Sequence, residues 1–138
     1  MNWPAGKNEP VRLLLDTHAL LWWLAGDEQL SATARWALED ESNPVFVSAA
    51  SAWEVATKHR LGKLPRIGPL AKDFAGEIAR QGFLDLAITL EDGQRAGALP
   101  GEHSDPFDRM LMAQAQTNDL ALVSNEEVFD RYGVIRLW

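Results

Sequence analysis

Short apolar runs alternate with longer stretches of helical spacing along this chain. Residues 11–15, 45–48, 84–88, 120–123 and 134–137 are brief aliphatic, β-branched or aromatic runs, and each reads as a strand. Between them, residues 18–25, 31–43, 51–61, 70–81, 89–98 and 106–117 read as helices, and 126–131 as a short one. Leu70, Phe74 and Ile78 show the spacing, four apart on one face. Several boundaries are written locally. Ser31 is an N-cap candidate, Asn43-Pro44 ends the second helix, and Gly62 stops the third. Pro106 opens a helix where a missing N–H does no harm. Residues 64–69 and 99–104 are loops. Strand and helix alternate throughout, which predicts an α/β layer fold with a mostly parallel sheet and right-handed crossovers. Residues 1–10, with Pro4, Gly6 and Pro10, read as a flexible N-terminal extension, and 11–138 as a single domain.

Composition narrows the function classes. A chain of 138 residues, nearly half of them apolar, can bury one sizeable core. No apolar run reaches the roughly 20 residues of a membrane span, and the N-terminus lacks the layout of a secretory signal. Without cysteine, disulfides and thiolate metal sites are excluded. A cytoplasmic protein with no membrane association is the expectation. The formal charge of −7 argues against a general electrostatic nucleic-acid binder. It leaves room for an enzyme that holds nucleic acid through a metal and a local basic patch, and for a basic protein partner.

The acids carry the candidate chemistry. Asp16 follows the first strand, and Glu126 follows the fourth. Glu54 and Asp108 stand near the starts of helices that return from the same sheet edge. Each has a simple explanation as a cap, because helix N-termini favour negative charge. Ser51-Ala52-Trp53-Glu54 matches a capping box, Asp105-Pro106-Phe107-Asp108 places an N-cap before proline, and Ser124 to Glu127 matches a second box. Capping does not require four such acids to share one edge. A divalent cation does, since its carboxylate ligands must converge. Taken together the four favour a metal site. Two other readings stay open: a non-catalytic α/β binding module whose acids are all caps, and a phosphatase using Asp16 as nucleophile. The latter would want a second acid at the position of His18.

At this point the residues resemble a known family. Leu14-Leu15-Asp16-Thr17-His18-Ala19-Leu20-Leu21-Trp22, Ser51-Ala52-Trp53-Glu54 and the segment from His103 to Ala115 resemble the PIN-domain ribonucleases, and among them the VapC-like toxins of type II toxin–antitoxin pairs. Phe129 to Val134 and the final Leu137-Trp138 fit the same subgroup. The likeness runs from about Val11 to Trp138. It implies a three-layer α/β/α sandwich and Mg²⁺- or Mn²⁺-dependent endonuclease cleavage of RNA, leaving a 5′-phosphate and a 3′-hydroxyl. It also implies a homodimer neutralised by a cognate antitoxin. By motif Asp16, Glu54 and Asp108 are the catalytic acids and metal ligands, with Asp105 an additional acid of the subgroup. The fourth position usually reads Thr-x-Asp and here reads Ser124-Asn125-Glu126, one methylene longer, so that Glu126 would ligate directly or through water. A basic residue common in the subgroup is replaced by Ser104.

Other residues have two readings each. Arg109 is expected to orient a site carboxylate or contact RNA, or else to form a surface salt bridge. Thr17 and Ser124 are expected to bond ligands or waters, or to cap locally. His18 and His103 are expected to be structural or to support the ligands. Met110 and Met112 read as core. Trp22, Trp23, Trp36 and Trp53 read as core or interface side chains, with base stacking as the alternative. The run from Leu20 to Leu24 is apolar on every face, so part of Trp22-Trp23 is expected to line a groove for an apolar antitoxin segment, or else the protein's own core or dimer interface.

Overall fold

β1 (Leu13–Leu15) is buried along its whole length and forms the centre of the sheet. The structure is a computed structural model that describes residues 9–138, so the expected extension lies, over residues 1–8, outside the described residues. Chain order continues with α1 (Thr17–Ala25), α2 (Ala32–Glu39), β2 (Val45–Ser48) and α3 (Ala49–Arg60). α4 (Gly68–Lys72), α5 (Phe74–Arg80), β3 (Leu84–Leu86) and α6 (Leu90–Ala98) follow. α7 (Pro106–Asn118), β4 (Ala121–Val123), a 3-10 helix (Glu127–Tyr132) and β5 (Arg136–Leu137) complete it. The sheet runs β3-β2-β1-β4-β5 with every pairing parallel.

Strand alternation divides the core into two. Leu13, Leu15, Val45, Val47, Ala121 and Val123 face one layer, where they meet Leu20 of α1, Leu38 of α2 and Ile78 of α5. Leu14 and Leu122 face the other, where they meet Leu111 and Met112 of α7 and Phe129 of the 3-10 helix. The result is the expected three-layer α/β/α sandwich. Met112 is core, and Met110 is half-buried.

Three elements differ from the sequence reading. The single helix expected over 70–81 is two, because Asp73 leaves helical geometry and its carboxylate accepts from Gly76 N–H to cap α5. The third strand ends at Leu86, at the sheet's edge, two residues earlier than expected. The third helix begins at Ala49 with Ser48 as its cap, not at Ser51. That shift removes the expected capping box and places Glu54 in the second helical turn. Trp22 and Trp23 are half-buried against the first core: Trp22 packs on His18 and Trp138, and Trp23 on Phe83 while donating to Gln81. Trp36 and Trp53 are largely exposed.

Candidate active site

From β1 the chain builds outward through β2 to β3, then crosses back to place β4 and β5 on the other side. The β1–β4 boundary is therefore the switch point, where open parallel sheets form a crevice beyond the strand ends. Asp16 sits there, its N–H donating to Val123 O at 3.1 Å. Ser124 and Glu126 follow β4 at the same place, and α3 and α7 bring in Glu54 and Asp108.

One cavity of about 50 Å³ is lined by Asp16, Glu54, Asp105, Asp108 and Glu126, together with Thr17, His18 and Lys58. Thus all four sequence-derived ligands, and Asp105, reach a common space. Capping explains part of the arrangement. Asp16 caps α1, accepting from Ala19 N–H at 2.7 Å. Asp105 caps α7 through Phe107 and Asp108 N–H at 2.9 and 3.1 Å. Glu54 and Asp108 cap nothing with their side chains. Glu54 is buried inside α3, its Oε1 accepting from the Thr17 hydroxyl at 2.6 Å and its Oε2 ion-paired with Lys58. Asp108 Oδ2 lies 2.8 Å from His103 Nε2.

Burial and mutual repulsion both act on the acids of this cavity. Burial, with a contribution from Glu126, pushes the Asp16 carboxyl up to about 6 against the hydrogen bonds from Ser124 and Ala19. Burial, with Asp105 and Glu126 adding to it, pushes Asp108 up to about 6 despite the His103 bond. Glu126 acts on both, so its carboxylate belongs to the group. Burial opposes the charge on Lys58, but the Glu54 bond and the fields of Glu54, Asp105 and Asp108 outweigh it and raise its pKa. The dipoles at the N-termini of α1 and α7 offset some of the repulsion.

Among the described residues no three of these side chains already surround one point as a closed metal cage. Glu54 is turned to Thr17 and Lys58, which accounts for the opening. The donor set still fits a hard divalent cation: several carboxylates line one cavity, and burial there, with neighbouring carboxylates adding to it, raises the pKa of Asp16 and Asp108.

The remaining expectations divide. Thr17 fixes Glu54, and Ser124 bonds Asp16 while also accepting from Glu126 N–H at 3.0 Å, so the second predicted capping box is replaced by a local turn. Arg109 departs from two of its expected roles. Among the described residues its guanidinium forms no salt bridge and is not part of the acid-cavity lining; it donates to the carbonyls of Ala96, His103 and Leu99 and clamps residues 99–103 against α6. Lys58 was missed. Its signal was the i, i+4 spacing from Glu54, which on any helix also describes an ordinary surface pair.

A parallel three-layer sandwich with a cluster of acids at its switch point places the chain among the α/β domains whose candidate site lies beyond the strand ends. The PIN domain model matches residues 13–135, and the chain belongs to that family. Ribonuclease VapC16 of Mycobacterium tuberculosis is 41% identical over 51 residues, 37% of this chain and 36% of that protein, so the match spans about a third of the relative's length. Among solved structures, VapBC2 of Rickettsia felis bound to a promoter DNA fragment superposes with a TM-score of 0.68 at 15% identity, covering 91% of this chain and 97% of that one. VapC20 of Mycobacterium tuberculosis, described as a sarcin-ricin loop cleaving toxin, gives 0.64 at 16% identity, covering 89% and 96%. At these identities the structural likeness shows the fold. Among the described residues no helix is long and apolar enough to cross a membrane.

Proposed function

We propose that this chain is the toxin of a type II toxin–antitoxin pair, a Mg²⁺- or Mn²⁺-dependent endoribonuclease that hydrolyses RNA phosphodiester bonds in the cytoplasm. The observation that carries the reading is the gathering of Asp16, Glu54, Asp108 and Glu126 in one cavity at the switch point of the sheet. The family match and the VapC16 likeness support ribonuclease chemistry. Asp16 and Asp108 are the direct carboxylate ligands in this reading. Glu54 joins them once Lys58 is displaced, and Glu126 does so directly or through water. A cation held there would supply an activated water and neutralise charge at the phosphate. Thr17 holds Glu54 in orientation, Ser124 holds Asp16, and His103 holds Asp108. Lys58 lines the cavity and, once displaced from Glu54, would be free to donate to a phosphate oxygen. The functional unit is a homodimer, and its partner is an antitoxin.

The binding-module alternative is disfavoured by Glu54 and Asp108, whose side chains cap no helix. The phosphatase alternative gains nothing from His18, whose ring stacks on Trp22. The test is cleavage of single-stranded RNA by pure protein with Mg²⁺, with Mn²⁺ and with excess chelator. Cleavage only with metal is expected. Cleavage that persists undiminished in chelator overturns the metal assignment.

A further inference from the structure

Beyond the acid cavity lies a much larger one, about 760 Å³, between the loop ahead of α7 and the 3-10 helix. The two share a wall. His103 lines the larger cavity, and its ring bonds Asp108, which lines the smaller. The volume lies in the range of small-molecule sites, roughly 300–1,000 Å³.

This cavity is built by specific contacts. Arg109 fixes the loop through Leu99 O and His103 O. The Tyr132 hydroxyl accepts from His103 N–H at 3.3 Å. Gly101 has φ of +96°, and a Cβ there would lie 2.4 Å from that hydroxyl. Only glycine lets the loop approach Tyr132 so closely. The shape is thus set before any ligand arrives.

Its lining joins an aromatic ring to an arginine. The walls combine the Tyr132 ring with Leu99 and Val128, apolar surfaces suited to a planar base. Arg131 is exposed at this cavity and, among the described residues, forms no hydrogen bond or ion pair. Glu102 is the single acid in the lining. In a chain of charge −7, an uncommitted guanidinium beside an apolar, aromatic-walled cavity is a selective feature for an anion that carries a ring.

We propose that this cavity is a substrate subsite that takes one unpaired nucleotide of the RNA, adjoining the scissile phosphate. Arg131 binds a backbone phosphate, and the base lies on the Tyr132, Leu99 and Val128 walls. The inference rests on the endoribonuclease reading and assigns to that substrate a nucleotide subsite in this cavity. Arg109 and Gly101 are positioning residues that keep the subsite in register with Asp108.

The experiment uses Asp16→Asn protein, which binds without cutting, and a randomised single-stranded RNA of about twelve nucleotides. Arg131→Gln and Arg131→Glu are introduced into it, with Arg66→Gln as a distant control. Arg131→Gln should weaken RNA binding about tenfold and Arg131→Glu more. The slope of log affinity against log salt should fall by about 0.7, the value for one lost single-strand phosphate contact. Arg66→Gln should bind as its parent does. In isotope-labelled Asp16→Asn protein, the RNA should shift the amides of Gly101, His103 and Tyr132. Unchanged affinity and slope in both Arg131 variants overturn the subsite, as does the absence of RNA binding by the parent. If the variants instead lose a co-expressed protein partner while holding RNA normally, the cavity is a partner groove and the proposal falls. Metal-dependent cleavage by the unmutated chain, measured separately, tells failure of the subsite from failure of the nuclease reading.

Discussion

Asp16 serves as a helix cap and as a buried acid, and the two duties respond differently to pH. Its pKa and that of Asp108 are raised from 3.8 to about 6, so the folded state holds protons that the unfolded chain has released. Stability from this source is present in full below about pH 4 and is lost as pH rises through about 6. Asp16→Asn removes the charge but keeps an oxygen able to cap α1. Without metal near pH 7 its melting temperature should exceed the wild type's by several degrees, since 1 kcal/mol is worth about 4 °C in a domain of this size. The advantage should vanish near pH 4, and RNA cleavage should fall at least about a hundredfold at every metal concentration, in keeping with the loss of a charged transition-state contact. A melting scan across pH and a cleavage assay check both; an unfolded variant, or one that cuts normally, removes Asp16 from the site. Glu126→Gln should weaken metal affinity more than it lowers the rate at saturating metal, read by metal titration beside kcat, because a side chain one methylene longer than aspartate would reach the metal through water. A rate loss as deep as that of Asp16→Asn, unrescued by metal, would show a direct ligand. Asp16, Glu54 and Asp108 were legible because motif and spacing carried them. Lys58 was not, because only the fold shows that the Glu54 face of α3 turns inward to the cavity.

Elements were legible where one local signal dominated and were misread where two competed. Thr89 and Asp92 form the capping box of α6, and Asp105 with Pro106 opens α7 as expected. At α3 two serines competed for the cap. Ser48 took it by bonding Ala50 N–H, and Ser51 became a buried helix residue beside Thr17. The apolar spacing of Leu70, Phe74 and Ile78 concealed a break, since periodicity records which face is buried and not whether the axis is continuous. Arg109 was beyond sequence reasoning, because its partners are carbonyls, which no side-chain pattern reveals. It ties α7 to α6 and to the loop that presents His103. Arg109→Met should therefore destabilise the fold by about 1 kcal/mol, the scale for losing part-buried hydrogen bonds. It should also raise amide exchange over residues 99–104 before it affects the sheet. Urea unfolding with hydrogen exchange reads both; protection of that loop at wild-type level would show that the clamp is dispensable.

At the scale of the whole molecule, the acid cavity and the net charge of −7 favour a cationic visitor. Three such visitors suit one space: a divalent metal, the ammonium of Lys58, or an arginine from a basic antitoxin segment. They compete because each offsets the same carboxylates. Under the proposed function, the apolar contacts of an antitoxin would lie elsewhere. Trp22 and Trp23 are already half-engaged with Trp138, Phe83 and Gln81, so α1 offers them chiefly to the protein's own packing. Leu21 and Leu24 line a cavity of about 240 Å³ with Ile67 and Leu70, Leu24 also packing on the first core. Two results are expected when the chain is co-expressed with the protein encoded beside it. Trp22→Ala and Trp23→Ala should lower the melting temperature of the isolated chain, in line with truncation of a packed aromatic, while affinity for the neighbour changes less than it does in Leu21→Ser. Raising Mg²⁺ should weaken the neighbour's binding, and by reciprocity the neighbour should weaken Mg²⁺ binding by the same factor. Calorimetric titration at low and high metal measures this coupling directly. Equal affinity at both metal levels would mean that the antitoxin leaves the carboxylates alone and blocks RNA by covering the cavity mouth.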